Sequence, residues 1–453
     1  MFNFINNLNH VDLKYCHWKS NEHLSAGLTG ETDLDVLASK GQQDLIKETL
    51  KEAGFRQVSS PAFSIYPYIQ DWIGFDEPTG ELLHLHLHYR LLTGKKLVKE
   101  QFLPWTDRAL KTRRRDEDTG VYVIDPNLEL INLAIRIAIK TRPTKMLAGK
   151  PLPVNIVREL DYLKERTDTG GISRLATELF GQEDERELAV LISKLLAGSH
   201  VATIFKLKRF VRKKLAGSRR YGFLKTQFLY FFNAVRVRVM KLANKLGATF
   251  QLNKTLPDGK LIAIVGADGS GKSSSVKALK KWLGWKLDTH TFYLGQDKTL
   301  FSYFLRAIHT DLRSVYFAWK KYKKLKKIDK LRLRGSVVIT DRYPQTQVRG
   351  INDGPLIDPD VKDSLFCGWL FTLEQKYYEK IERYKPDVVV RLNVSQEKAQ
   401  ARKPDHETDE IQRKIAIVEK LEFTNSKVIE VDASQDLDGM VLEIKQKLWK
   451  NLN

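Results

Sequence analysis

Cysteine is scarce in this chain: 453 residues carry only Cys16 and Cys367. Two thiols so far apart build neither a disulfide framework nor a cysteine-rich zinc site, and they point to a reducing cytoplasm. Long apolar runs are missing too. The longest, such as LIAIV at 261–265, are strand-sized, well short of the ~18 residues a spanning helix needs. The opening MFNFINNLNHVD has no basic stretch leading into an apolar one, so no secretory signal is expected. Hydrophobic residues make up 42%, aromatics 10% and charged residues 29%. These values exclude a disordered or collagen-like chain and describe a globular one. At ~150 residues per domain, the length predicts two or three domains.

Acidic residues are absent where basic ones concentrate. The net charge is +21, yet residues 201–250 hold 13 Lys/Arg and no Asp/Glu, and residues 301–335 hold 11 Lys/Arg against two Asp. The remainder is close to neutral. Within 203–247, Phe and Tyr are interleaved with Lys and Arg. Such a segment suits packing between domains or the surface of an anionic membrane, with nucleic acid as the weaker alternative. The membrane reading would place the protein at the inner face of the membrane. The second basic segment, FAWKKYKKLKKIDKLRLRG, is expected to line a site for an anionic substrate.

The pattern along the chain predicts an α/β protein. Residues 1–125 mix strand-like and helical stretches, 126–202 read as helices, 203–257 form the basic aromatic connector, and from 258 strands and helices alternate. That alternation predicts a parallel sheet with helices on both faces.

The run Gly266, Ala267, Asp268, Gly269, Ser270, Gly271, Lys272, Ser273 fits GxxxxGK[ST], and Ser274 follows it. Glycines let backbone N–H groups turn inward onto phosphate oxygens, and the next helix aims its N-terminus at the anion. A buried-type strand precedes the motif and a helix follows, the context such a loop requires. Lys272 is then the residue for the β- and γ-phosphates of ATP, and Ser273 the ligand of Mg²⁺. Asp268 is unneeded for ATP and is expected to face the point of transfer. The strand SVVIT delivers Asp341 and Arg342. At a strand end these residues open into the ligand crevice, Asp341 to orient Mg²⁺ through water or to accept a substrate proton and Arg342 to hold an acceptor phosphate; the other reading is a structural ion pair.

GADGSGKSS, VVITDRYP, DVVVRLNVSQEKAQARK and VIEVDAS follow one another over 258–453. In order and spacing this part resembles thymidylate kinase and its relatives. The resemblance implies that Arg342 binds the acceptor phosphate, that Arg402 and Lys403 belong to a mobile lid over the transferred group, and that Asp432, Ala433 and Ser434 lie near the adenine. The Arg-Glu-Pro-Gly stretch of that family is replaced by Tyr293-Leu294-Gly295-Gln296-Asp297. The acceptor is therefore left as a nucleoside monophosphate or as a sugar or glycan of surface polysaccharide biosynthesis, which relatives of this type often accompany.

Asp33 and Asp35 in DLDVL point the same way on a strand, because the side-chain period is two. Such a pair holds Mg²⁺ for nucleotidyl transfer. With the following helix and the strand LLHLHLHYR, residues 10–200 resemble an uncharacterised bacterial nucleotidyltransferase family, of α+β fold. Where that family places a third carboxylate, this chain offers His84, His86 and His88 on one strand face. These are either the polar side of a half-buried strand or metal ligands. Three functions follow: an ATP- and Mg²⁺-dependent phosphotransferase, a nucleotidyltransferase using Asp33 and Asp35 with the phosphate loop as a switch, and a nucleotide-gated protein binding membrane or nucleic acid through 203–247. A homodimer is open under each.

Overall fold

A computed structural model describes residues 12–142, 144, 148–198, 200–296, 299–351, 353–360, 365–404 and 407–452. Asp297 of the departing stretch lies outside the described residues, as do most of the opening twelve. The chain forms two compact units, Met1–Asp76 with Glu81–Leu252 and Glu77–Gly80 with Asn253–Asn453.

The first unit begins with a mixed sheet. Its strands are β1 (Tyr15–His17), β2 (Asp33–Ala38), β3 (Arg56–Val58), β4 (Ile69–Asp76), β5 (Glu81–His88), and the two-residue β6 (Leu92–Thr93), β7 (Gln101–Phe102), β8 (Arg114–Arg115) and β9 (Tyr122–Val123). Seven of them form one sheet in the order β3-β4-β5-β2-β1-β9-β8, while β6 and β7 pair alone. The alternation in LLHLHLH sorts β5 onto two faces. Leu83, Leu85 and Leu87 join Leu34, Val36, Ile46 and Leu50 in one core, under the helix Gln43–Glu52. The histidines take the other face.

The helix Pro126–Lys140 organises the rest of this unit. Asp125 caps it, accepting from Asn127 N and Leu128 N, and Pro126 opens its first turn. It is apolar around most of its circumference and so is buried along nearly its whole length. The helices Val154–Lys164, Thr169–Phe180, Gln182–Leu196 and His200–Lys214 contribute to the same core.

The basic segment 203–247 proves to be two helices of different character. His200–Lys214 buries Ile204, Leu207, Phe210 and Val211 and leaves its cations exposed or, for Lys208 and Lys214, half-buried. Phe223–Lys245 buries only Thr226. Its Leu224, Phe228, Phe231, Val235, Val239 and Leu242 all stay exposed.

The second unit is the expected parallel sheet. Strands β10 (Lys260–Gly266), β11 (Thr289–Tyr293), β12 (Val337–Asp341), β13 (Val388–Asn393) and β14 (Lys427–Asp432) run in the order β11-β12-β10-β13-β14. All neighbours are parallel. The five residues Leu261 to Val265 of β10 are all buried because helices cover both faces. The chain leaves β10 first toward β12 and β11 and later toward β13. That reversal opens a crevice beyond the carboxyl end of β10, where such sheets bind ligands.

One buried acid carries a testable cost. Glu129 lies under β1 and accepts from Asn21 N at 3.0 Å and Asn21 Nδ2 at 2.6 Å. Burial outweighs these bonds and pushes its carboxyl up to about 7. An acid whose folded pKa is raised favours folding while it stays protonated and loses that contribution as pH rises through the folded value. Melting curves of wild type and Glu129→Gln should therefore diverge in the variant's favour between pH 5 and pH 8. Parallel curves would show that the carboxyl titrates normally.

Candidate functional site

The phosphate loop leaves β10 and enters the helix Lys272–Leu283. Gly269 and Gly271 hold φ of 82° and 86°. L-residues resist this left-handed region. A Cβ on Gly269 would also lie 2.8 Å from Ala399 O, and one on Gly266 would lie 2.5 Å from Ser270 Oγ. The loop is thus wound too tightly for side chains. Ser270 Oγ is buried without a hydrogen-bond partner among the described residues. Ala267 is buried, and Ser273 and Ser274 face solvent at the first helical turn.

Lys272 is buried and donates to Gly266 O at 3.0 Å and Ala267 O at 2.6 Å. Burial, with help from the nearby Arg342 charge, pulls its ammonium down to about 8. Asp268, with Oδ1 3.9 Å away, Asp341 and Asp353 oppose that shift, and a phosphate arriving in the loop adds negative charge on the same side.

β12 ends beside the loop. Ser273 Oγ donates to Asp341 Oδ2 at 2.6 Å, while Asp341 Oδ1 is buried without a hydrogen-bond partner among the described residues. A hydroxyl and a carboxylate with a spare oxygen, at the head of a phosphate loop, fit the donor set of Mg²⁺. The two metal residues named from the loop and strand motifs therefore come together.

Arg342 stands at a φ of 71°, a strained angle for a residue with a side chain. Its guanidinium reaches Asp268 Oδ1 at 3.0 Å and Asp353 Oδ2 at 3.7 Å. Lys414 Nζ takes the other Asp268 oxygen at 2.8 Å. Burial alone would raise the Asp268 carboxyl, but Lys414, Lys272 and Arg342 outweigh it and hold it at about 2. Asp268 is therefore an ionised carboxylate clamped between cations at the mouth of the loop.

Arg402 sits on the other side of the loop. It donates to Gly269 O at 3.2 Å, Ala433 O at 2.9 Å and Gln435 O at 3.3 Å. It ties the loop to the turn after β14, the stretch that the family resemblance assigns to adenine. Neighbouring Lys403 closes the helix Gln396–Arg402.

Within the second basic segment, the helix Thr310–Arg332 turns two lysines inward. Lys321 is buried and donates to Asp353 O at 2.9 Å and Tyr378 OH at 3.2 Å. Lys324 donates to Tyr293 O at 2.7 Å. Lys323, Lys326, Lys327 and Lys330 are exposed, so most of this charge run is a solvated face. Lys321, Asp353 and Lys414 carried no motif in the sequence. They are found only because helices distant in sequence converge on Asp268 and Arg342.

In the first unit, β2 and β5 bring the expected residues together. The register pairs Asp33 with His84 and Asp35 with His86. The carboxylate that the motif lacked comes from β4, where Asp71 pairs with His86. His84 lies 2.7 Å from Asp33 and 3.2 Å from Asp71, and His86 lies 2.7 Å from Asp71. Asp33, His84 and His86 are close enough to share one metal ion. Asp35 has another neighbour, Lys19 Nζ at 2.8 Å. Burial opposes ionisation of Asp35, but Lys19, His88 and His86 keep its pKa well below the ordinary carboxylate value. Two carboxylates free to share Mg²⁺ are not what the strand presents: a lysine holds one, and histidines flank both.

No family model matches the chain. Among curated proteins it is similar to the uncharacterized ATP-binding protein YghS of Escherichia coli (strain K12), 33% identical over 215 residues, covering 40% of this chain and 89% of that protein. It is also similar to the uncharacterized ATP-binding protein YghR of the same strain, 30% identical over 216 residues, covering 41% of this chain and 85% of that protein. Among solved structures it is similar to a deoxyadenosine kinase from M. mycoides, at 20% identity and a TM-score of 0.30, covering 42% of this chain and 98% of that one.

Gly269→Ala tests the loop itself. The added methyl meets Ala399 O and imposes a left-handed alanine, a strain of about 1–2 kcal/mol. Nucleotide affinity, measured by calorimetry, should fall at least tenfold while the melting temperature drops only modestly. Unchanged affinity would mean that nucleotide does not lie against this loop.

Proposed function

From the membership of this chain in the family of ATP-binding proteins that includes YghS and YghR, we propose that it is an ATP- and Mg²⁺-dependent phosphotransferase. The observation that carries the reading is the Asp268 carboxylate, clamped by Arg342 and Lys414 beside Lys272. Binding ATP needs no acid there. Positioning an acceptor does.

In this reading the loop amides and Lys272 hold the phosphates, and Ser273 and Asp341 hold Mg²⁺, which neutralises charge on the transferred group. Arg402 braces the loop against the turn at 433–435. For a sugar or glycan, Asp268 accepts a hydrogen bond from the attacking hydroxyl and orients it in line with the γ-phosphate; as its oxygen bonds phosphorus, the bond to the ADP leaving group breaks and the hydroxyl proton passes to solvent. For a nucleoside monophosphate the attacking atom is a phosphate oxygen, with Arg342 beside it for that charge. Since Arg342 is already engaged by two carboxylates, the sugar or glycan is favoured.

The decisive experiment is ADP release with Mg²⁺-ATP and candidate acceptors, dTMP first. Lys272→Ala should abolish turnover without loss of helical signal, and Asp33→Asn should leave turnover intact. Activity that survives Lys272→Ala but disappears in Asp33→Asn would assign the chemistry to the first unit as a nucleotidyltransferase.

The helix Phe223–Lys245 supports a location at an anionic membrane surface. No helix among the described residues is long and apolar enough to cross a membrane. Its exposed stripe of Leu224, Phe228, Phe231, Val235 and Leu242 runs beside Lys225, Arg236, Arg238 and Lys245, with no acid in the helix. An apolar face edged by cations matches a bilayer of anionic lipid. Phe228→Ser with Phe231→Ser should release the protein from phosphatidylglycerol vesicles in co-sedimentation. Wild type that never sediments with them would remove this reading.

A further inference from the structure

A cavity of 910 Å³ lies within the first unit, away from β2 and its carboxylates in sequence and built from other elements. Its wall comes from the loop at 94–101, the end of the helix Pro126–Lys140, and the facing sides of His200–Lys214 and Phe223–Lys245. Binding pockets of this size, ~300–1,000 Å³, are usually apolar. This one is not. Of its 23 lining residues nine are Lys or Arg and one, Glu100, is acidic.

That acid offsets only part of the charge, raising the Lys95 ammonium against burial. Glu100 Oε2 accepts from the backbone N of Lys95 at 2.8 Å and braces its own loop. The cations meet neutral partners instead. Lys95 Nζ donates to Gln227 Oε1 at 2.7 Å, Arg142 to the Tyr230 hydroxyl, and Lys208 to Thr141 O. Arg212 stacks 5.0 Å from the Phe223 ring. Nine cations converging on one cavity with a single acid among them repel each other and want a shared anion. The local charges register this. Burial lowers the Lys95 ammonium, aided by Arg142 and Arg212, and burial lowers Lys208, aided by Arg212 and Lys95. Lys140 is exposed on the cavity wall, yet the protein around it and the charges of Arg136, Lys19 and Lys99 push it down to about 7 against the opposing charge of Asp35.

We propose that this cavity binds a phosphorylated ligand, its phosphate or pyrophosphate group held by Lys95, Lys208, Arg142 and Arg212. Arginine supplies the forked donor pair that phosphate oxygens accept, and lysine adds compact charge. Phe223, Tyr230 and Phe231 on the same wall offer an apolar surface to whatever carries the phosphate. The source is a soluble phosphate ester or the headgroup of a lipid phosphate; both present the same oxygens to the same cations.

The test uses the full chain with its phosphate loop saturated by ADP, so that Lys272 is not the site being read. Inorganic pyrophosphate and dihexanoyl phosphatidic acid, kept below its micelle concentration, are titrated by calorimetry. Lys95→Ala with Arg212→Ala should weaken binding of the probe at least tenfold, and Arg142→Gln should weaken it severalfold by a separate route. Pyrophosphate binding lost in both variants supports the proposal with a soluble ligand. Binding of the lipid phosphate alone, lost in both variants, supports it with a lipid ligand. Absence of binding for both probes overturns it, and so does binding that neither variant changes while melting temperatures stay at the wild-type value.

Discussion

Gly269 and Gly271 hold backbone angles that any side chain would oppose, and the chemistry of the second unit hangs on that turn. The tight loop puts a buried Lys272 at the first position of the following helix and Ser273 Oγ 2.6 Å from Asp341 Oδ2. It also presents Asp268 outward, where Arg342 and Lys414 close on it. A wider loop would lose all three relations together, since each depends on how far the backbone moves between β10 and the helix that follows. The strain at Arg342 belongs to the same design: its left-handed angle lets the chain leave β12 with the guanidinium turned toward the loop.

Charge is the second organising constraint, and the two basic stretches resolve it differently. In the helix Thr310–Arg332 most lysines are solvated, and Lys321 alone is deeply buried, with a carbonyl, a hydroxyl and the Asp353 carboxylate at 3.7 Å as partners. In 201–250 the cations divide between the wall of a cavity and the edges of an exposed apolar stripe. The same residue types thus serve as solvated surface in one place and as an anion-seeking wall in another. Sequence composition reads identically for both, because it counts charges without their surroundings.

The first unit shows a related effect in its sheet. A strand of alternating Leu and His must give one face to the core, and Leu83, Leu85 and Leu87 take it. The histidines are then forced onto the face that carries Asp33, Asp35 and Asp71, and ion pairs follow from the register. Lys19 reaches Asp35 from beyond β1. The carboxylate pair sits in the place expected of it, in company that the motif did not foretell.

The sequence by itself determined the local matters. Glycines at fixed spacing between an apolar strand and a helix dictated the phosphate loop, and period-two alternation placed Asp33 and Asp35 on one face and the histidines on one face. The alternation of strands and helices from 258 announced a parallel sheet, because parallel neighbours need crossover connections. Each element in these readings rests on residues within a few positions of each other, where backbone geometry leaves little choice. Tertiary structure decided the rest: that Lys414 reaches Asp268, that Asp71 joins the histidines, that the basic aromatic segment splits into a buried helix and an exposed one, and that nine cations surround one cavity. Those contacts join residues tens to more than a hundred positions apart. They depend on how helices and strands pack, which no local pattern encodes.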